Sequence, residues 1–402
     1  MRLTHLTILI AAGAIMLAIS HGMRGVFGVI LDPVSTEFGW PRSIYSLSLA
    51  IQIVMIGLAQ PLFGWIADRW GDRAAMWLGF VLYVIGMLLT VWGGTEVTMH
   101  LGTGVLIGMG VSGTAMGLVL AAVGRAVPEE RRTRVLSTVA AFGAVGTMIL
   151  PWMSGQLVAA FGWQTTILIM TAILLPMALC IPFMKADLPA TAQAEPMVPT
   201  GQMMGRMFGY SSYLLIVLGF FVCGFHVAFI SAHFPAFVAE MCATAEGPAT
   251  ELGALSLSLV GVANFFATIL VGRLASYVPR PYLLSGLYAL RSLAILVFVS
   301  IPVTPTSVII FSLGIGAVWL ATVPLTSGIV ATMFGPRYIG TTYGFVFLSH
   351  QVGGFIGIYL GGEFYDRYGN YDIIWWAAIG LGVLSAIVHL PLRDKAWQAK
   401  PA

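Results

Sequence analysis

Twelve apolar runs, each near the length needed to cross a bilayer, divide this chain. They lie at approximately 6–31, 43–67, 74–94, 98–125, 135–160, 163–183, 210–238, 251–277, 282–301, 306–331, 338–361 and 373–392. A hydrocarbon core takes roughly 20 apolar residues in an α-helix, because lipid offers no hydrogen-bond partner to an exposed backbone. Short clusters of glycine, proline and charge, such as "GWPR" and "DRWGDR", separate the runs. Of the 402 residues, 58% are hydrophobic and only 9% charged, against roughly 25% charged in soluble domains. The sequence therefore predicts an all-α integral membrane protein with 12 transmembrane helices. The start, Arg2 to His5 followed by apolar residues, imitates a secretory signal, but the apolar run continues past Ser20. A retained first helix is expected.

One long polar connection, "KADLPATAQAEPMVPTGQMMGRM", interrupts the pattern. It is expected to be a flexible linker over 185–209, between an N-terminal half at 1–184 and a C-terminal half at 210–402. With the N-terminus in the cytoplasm, all of the 19 Lys and Arg residues except Arg24, Arg42, Arg291 and Arg367 fall in cytoplasmic positions. Arg42 and Arg367 lie outside, and Arg24 and Arg291 lie within spans. This asymmetry predicts a multi-pass protein of a bacterial cytoplasmic membrane with both termini inside.

The charges inside the spans carry the functional information. Arg24 interrupts "SHGMRGVFG", and an arginine in hydrocarbon costs at least ~2.5 kcal/mol. No Asp or Glu lies near the middle of a span; Asp32, Glu240, Glu251 and Glu363 all fall at outer ends. The inner inventory is cationic and neutral: Arg24, Arg291, His21, His226, His233, His350, Asn264, Gln52, Gln60 and Gln351. A cavity that receives an anion would offset the cost of Arg24. Snorkelling to water or to Asp32 is the alternative. Arg291, in "LYALRSLAI", either completes an anion site or is a structural arginine bonded to carbonyls; Tyr288 shares its face. His226, His233 and His350 either carry protons or make interhelical hydrogen bonds. Asn264 either binds a carboxylate oxygen or joins helices.

The two halves repeat. "GMRGVFGVILDP" (Gly22 to Pro33) aligns with "GFHVAFISAHFP" (Gly224 to Pro235), which lays Arg24 over His226. "GWIADR" (Gly64 to Arg69) aligns with "GRLASY" (Gly272 to Tyr277). Transporters built from two such halves hold substrate near the midplane between them.

"GWIADRWGDR" resembles the signature loop of the major facilitator superfamily, and the twelve spans in two halves fit that family's fold. The resemblance implies a conformational latch between spans two and three, formed by Gly64, Asp68, Arg69, Gly71 and Arg73. Asp72 stands where a second basic residue is common. Four further stretches, "FGVILDPVSTEFGWPRS", "GFHVAFISAHFPAFVAE", "WLATVPLTSG" and "FLSHQVGGFIGIYLGG", resemble bacterial relatives of the monocarboxylate transporters. That resemblance implies a cation in span one, which Arg24 matches. It also implies an acidic or amide residue and an arginine one turn apart in span eight. Asn264 matches the first, while the second falls on Thr268.

Together these features predict a secondary transporter of a small organic anion, a monocarboxylate foremost, working by alternating access with proton coupling. Arg24, His226, Asn264, Arg291 and His350 are the expected substrate site, and His226, His233 and His350 the expected proton carriers. An anion exchanger fits the same residues. A drug or metabolite exporter is the other alternative, although "FGAVGTMILPWMSG" lacks the glycine–proline signature of drug antiporters. No nucleophile–base set, metal cluster or cofactor motif is visible, so no enzyme, metal or cofactor is expected. The three cysteines form no CxxC pair. Basic residues are spread over many loops, which argues against nucleic acid. A monomer in the lipid bilayer is expected, since the superfamily usually works so.

Overall fold

The computed structural model describes residues 3–114, 116–126, 129–184, 200–243, 249–275, 277–334 and 339–396. All of its described elements are helices. Eleven stretches are long and apolar enough to cross a membrane. One of them, Thr138–Phe183, has 46 residues, twice the length a crossing needs. Its helix breaks at Gly162, whose φ of 78° and ψ of 169° no helix can contain. It therefore holds spans five and six, and the expected twelve are present. The others are span one (Leu6–Val29), two (Arg42–Gln60), three (Asp72–Trp92), four (Glu96–Leu120), seven (Ser211–Met241), eight (Thr250–Leu274), nine (Arg280–Val299), ten (Pro305–Phe334), eleven (Thr342–Tyr368) and twelve (Asp372–His389).

Three local features differ from the sequence expectation. The helix of span two runs on to Trp70, so most of "GWIADRWGDR" is helical rather than a loop. No proline follows Gly64, and the apolar period continues through Trp70. The break is confined to Gly71, with φ +89°, after which Asp72 opens span three where an acid suits the helix dipole. Span ten is two helices, Pro305–Ala317 and Thr322–Phe334, with an unwound step between them. Of the expected linker, 185–199 lie outside the described residues. Thr200–Phe208 is a helix rather than flexible coil, because Met203 and Met207 bury themselves in the C-terminal half.

Buried apolar side chains form two clusters, one built on spans one to six and the other on spans seven to twelve. Ala228, Ala232, Ala236 and Ile358 cross over and join the first cluster. They mark the seam. Span two packs along span eleven, span five along span eight, and span one against span seven. The seam is closest at the end of the bundle where spans one and two join, here called the Arg42 end. A Cβ built on Gly28 of span one would fall 2.0 Å from the Ser231 carbonyl oxygen of span seven. At the opposite end, nothing described lies within 4 Å of such an atom on Gly64, Gly272 or Gly344. The halves are closed at the Arg42 end.

Gly28→Val is accordingly expected to wedge spans one and seven apart. Overpacking of this kind costs ~1–3 kcal/mol, borne by the closed arrangement. Spin labels at the Arg42 ends of spans one and seven should report longer distances in the variant.

Candidate functional site

Arg24 lies on span one, five residues before that span ends at Val29 on the Arg42 side, and is partly buried. Among the described residues its guanidinium has no hydrogen bond and no ion pair. It lines a cavity of about 30 Å³ at the seam, with Gly28, Leu49, Gln52, Ile53, Ala228, Ser231, Ala232 and Ile358. Such a space holds about one water molecule. Its walls come from both halves, and its lining contains no carboxylate. Tyr83 of span three is an electrostatic neighbour of Arg24. Its hydroxyl is buried without a partner among the described residues. Asp32, the possible snorkelling partner, is engaged elsewhere: it meets Arg42 at 2.7 Å.

Arg42 is the residue that sequence reasoning left as a surface charge. It opens span two and is only 8% exposed. Its guanidinium meets Asp32 at 2.7 Å in its own half and Glu240 of span seven at 3.0 Å in the other. It also donates to the Tyr371 hydroxyl at 3.1 Å and lies 3.8 Å over the Tyr365 ring. Tyr365 in turn donates to Glu240 at 2.8 Å. The Asp366 carboxylate accepts from the backbone N–H groups of Arg42 and Ser43, at 2.9 and 2.8 Å. An anion from span eleven thus caps the N-terminus of span two across the seam. The signal was present in the sequence as three acids and an arginine on one side of the membrane, without any indication that they meet.

The expected histidines do not gather at Arg24. His226, which the repeat lays over Arg24, is fully buried and bonds from Nε2 to the Ala378 carbonyl of span twelve, at 2.7 Å. His233 donates from Nε2 to the Ile358 carbonyl at 2.8 Å, so its Nδ1 accepts from Tyr371, 3.2 Å away. It belongs to the Arg42 network. His350 pairs through Nδ1 with Gln351 Oε1 at 3.0 Å, and Gln351 donates to the Ile53 carbonyl across the seam at 2.7 Å.

Asn264 and Arg291 instead support the unwound step of span ten. The Asn264 Oδ1 accepts from the Leu320 backbone N–H at 3.0 Å and from Thr268 at 3.3 Å. Arg291 is fully buried and donates to the Val318 and Trp319 carbonyls. These carbonyls follow Pro305–Ala317, where a helix ends and a cation is favourable. Of the two readings of Arg291, the carbonyl-bonded one describes its contacts. Broken helices of this kind occur beside substrate sites in transporters.

Of the expected latch, the side chains of Asp68 and Arg69 lie outside the described residues. Gly64 sits on the last turns of span two, Gly71 forms the break, and Arg73 is exposed on span three. A separate cavity of about 250 Å³ lies among spans seven, nine, eleven and twelve at the Arg42 end, walled by Phe237, Phe298 and Trp375. It is off the seam.

A model of the Major Facilitator Superfamily matches residues 13–358. An uncharacterised MFS-type transporter of Bacillus subtilis (strain 168), YcxA, is 27% identical over 391 residues, covering 93% of this chain and 92% of that protein. Human monocarboxylate transporter 11 is 24% identical over 400 residues, covering 95% of this chain and 82% of that one. In fold, the chain is similar to a solved D-xylose–proton symporter, with a TM-score of 0.77, 14% identity, and coverage of 98% of this chain and 100% of that one. A family model over most of the chain, twelve spans in two packed halves and relatives that are transporters rather than enzymes lead to one conclusion: this chain is a multi-pass membrane protein of the Major Facilitator Superfamily.

Proposed function

We propose that this chain carries a small organic anion, a monocarboxylate in the first instance, by alternating access of its two halves, 1–184 and 210–402. The observation that carries the reading is Arg24: permanently charged, bearing no ion pair among the described residues, and lining a cavity that both halves wall. A carboxylate entering there would supply the missing counter-charge. Gln52 and Ser231 are the polar groups beside it. The similarity to monocarboxylate transporter 11 supports the same substrate class.

Proton symport is the coupling proposed. The cavity lining holds no carboxylate, which also suits an anion exchanger, since an empty cationic site returns unfavourably. His226, Asn264, Arg291 and His350 act from the surrounding shell, and the 64–73 segment acts as a latch at the linker end. The protein would work as a monomer in a bacterial cytoplasmic membrane, with both termini in the cytoplasm and the Arg42 end outside. The expected result is uptake of labelled lactate into proteoliposomes, driven by an inward proton gradient and competed by short unlabelled monocarboxylates. Uptake that responds only to a trans anion would indicate exchange. No flux of any organic anion would reject the reading.

A further inference from the structure

Spans seven, nine, ten and eleven bury a second polar cluster, apart from the cavity at Arg24. Arg291 is at its centre, fully buried, with no carboxylate pairing it among the described residues. Its Nε has no partner among them either. The carbonyls of Val318 and Trp319 offset part of its charge. Burial of a permanent cation calls for an anion as well. One group in contact can become one: the Cys223 sulfur, 3.6 Å from Arg291 Nη1. The Thr322 hydroxyl lies 3.4 Å from the same sulfur, and His350 lies beside it. His350 uses Nδ1 on Gln351, which bonds across the seam to Ile53. Its other ring nitrogen is left to share a proton with the thiol. Arg291, Cys223, His350 and Gln351 thus lie in succession between the cluster and the N-terminal half, with Cys223 and His350 as neighbours.

We propose that Cys223 is a proton-binding site of the transport cycle, its thiol exchanging one proton with His350 and solvent against the fixed charge of Arg291. Loading forms the S–H bond and leaves the cluster with a net charge of one. Release breaks that bond, returns the proton to water and leaves a neutral guanidinium–thiolate pair. A cluster that gains positive charge favours a bound anion, and a bound anion favours the proton by the same free energy. This is the linkage that symport requires. It works without any carboxylate in the middle of a span. The titratable groups around the sulfur are Arg291 and Tyr288 of span nine and His350 and Tyr343 of span eleven. His226 of span seven senses Arg291, and His389 of span twelve stacks on Tyr288 at 5.0 Å.

This inference rests on the organic-anion reading, but one of its tests does not. In the full chain carrying Cys180→Ser and Cys242→Ser, Cys223 is the sole thiol. Its infrared S–H stretch reports the proton whether or not solvent reaches the sulfur. The band should disappear as pH rises from mildly acid to mildly alkaline. A band that persists unchanged overturns the proposal, whatever the substrate. In proteoliposomes, Cys223→Ser should lower the ratio of gradient-driven to exchange flux of lactate by about tenfold and flatten its dependence on external pH. A parent-like ratio and pH profile would also overturn it. Absence of flux of every organic anion tested in the parent would instead reject the organic-anion reading, and the infrared titration would still decide the proton site.

Discussion

Arg42→Gln should open the Arg42 end. The substitution removes the cation that meets Asp32, Glu240 and Tyr371 at once. Glutamine cannot satisfy two carboxylates, so Asp32 and Glu240 would face each other uncompensated. Glu240 is 43% exposed, and water screens part of that loss. The backbone bonds from Asp366 to span two do not depend on the side chain and should remain. Taking one or two charge-assisted bonds as ~1.5–3 kcal/mol gives a shift of about 10- to 100-fold away from the closed arrangement. Spin-label distances across spans two and eleven would show it as a new, longer population. An unchanged distribution would mean that Asp366 and the apolar seam hold the closed end without Arg42. Asp366→Asn is the companion variant, because it weakens the cap on span two while leaving the arginine in place.

Arg24→Gln should have the largest effect on transport and little cost to the fold. The guanidinium bonds to nothing described, so its removal forfeits no interaction and relieves a buried charge. Thermal stability should stay level or rise. Binding of an anionic substrate should weaken by about 1.5–3 kcal/mol, roughly 10- to 100-fold, from loss of a charge-assisted pair at the partly buried guanidinium. Arg24→Lys keeps the charge but loses the planar fork, and should fall between the two. A loss of stability comparable to the loss of binding would show that Arg24 holds structure instead.

The spans were legible because a bilayer imposes length and apolarity on a local stretch of sequence, and twelve such stretches survive folding almost unaltered. Arg24 was legible for the same reason: one charge in an apolar run stands out wherever it points. Arg42 was not. Its partners lie at Glu240, Asp366 and Tyr371, up to 329 residues away, and no local pattern reveals such a meeting. His226 shows the limit of the repeat. Its register matches Arg24, yet its ring turns to the Ala378 carbonyl, because span twelve offers an acceptor there. The unwound step of span ten at 318–321 is flanked by Gly316 and by Pro324, which cannot donate back to the Leu320 carbonyl, a local signal that the reading of one continuous span at 306–331 passed over. The step persists because Arg291 and Asn264, from other spans, satisfy the backbone it frees.

The most direct measurement compares lactate with its uncharged amide as competitors for a labelled monocarboxylate, bound to purified protein and to Arg24→Gln in parallel. The predicted result is displacement by lactate and none by the amide in the parent, and loss of that preference in the variant. Equal displacement by both compounds, or a preference that survives in Arg24→Gln, would contradict a carboxylate site at Arg24.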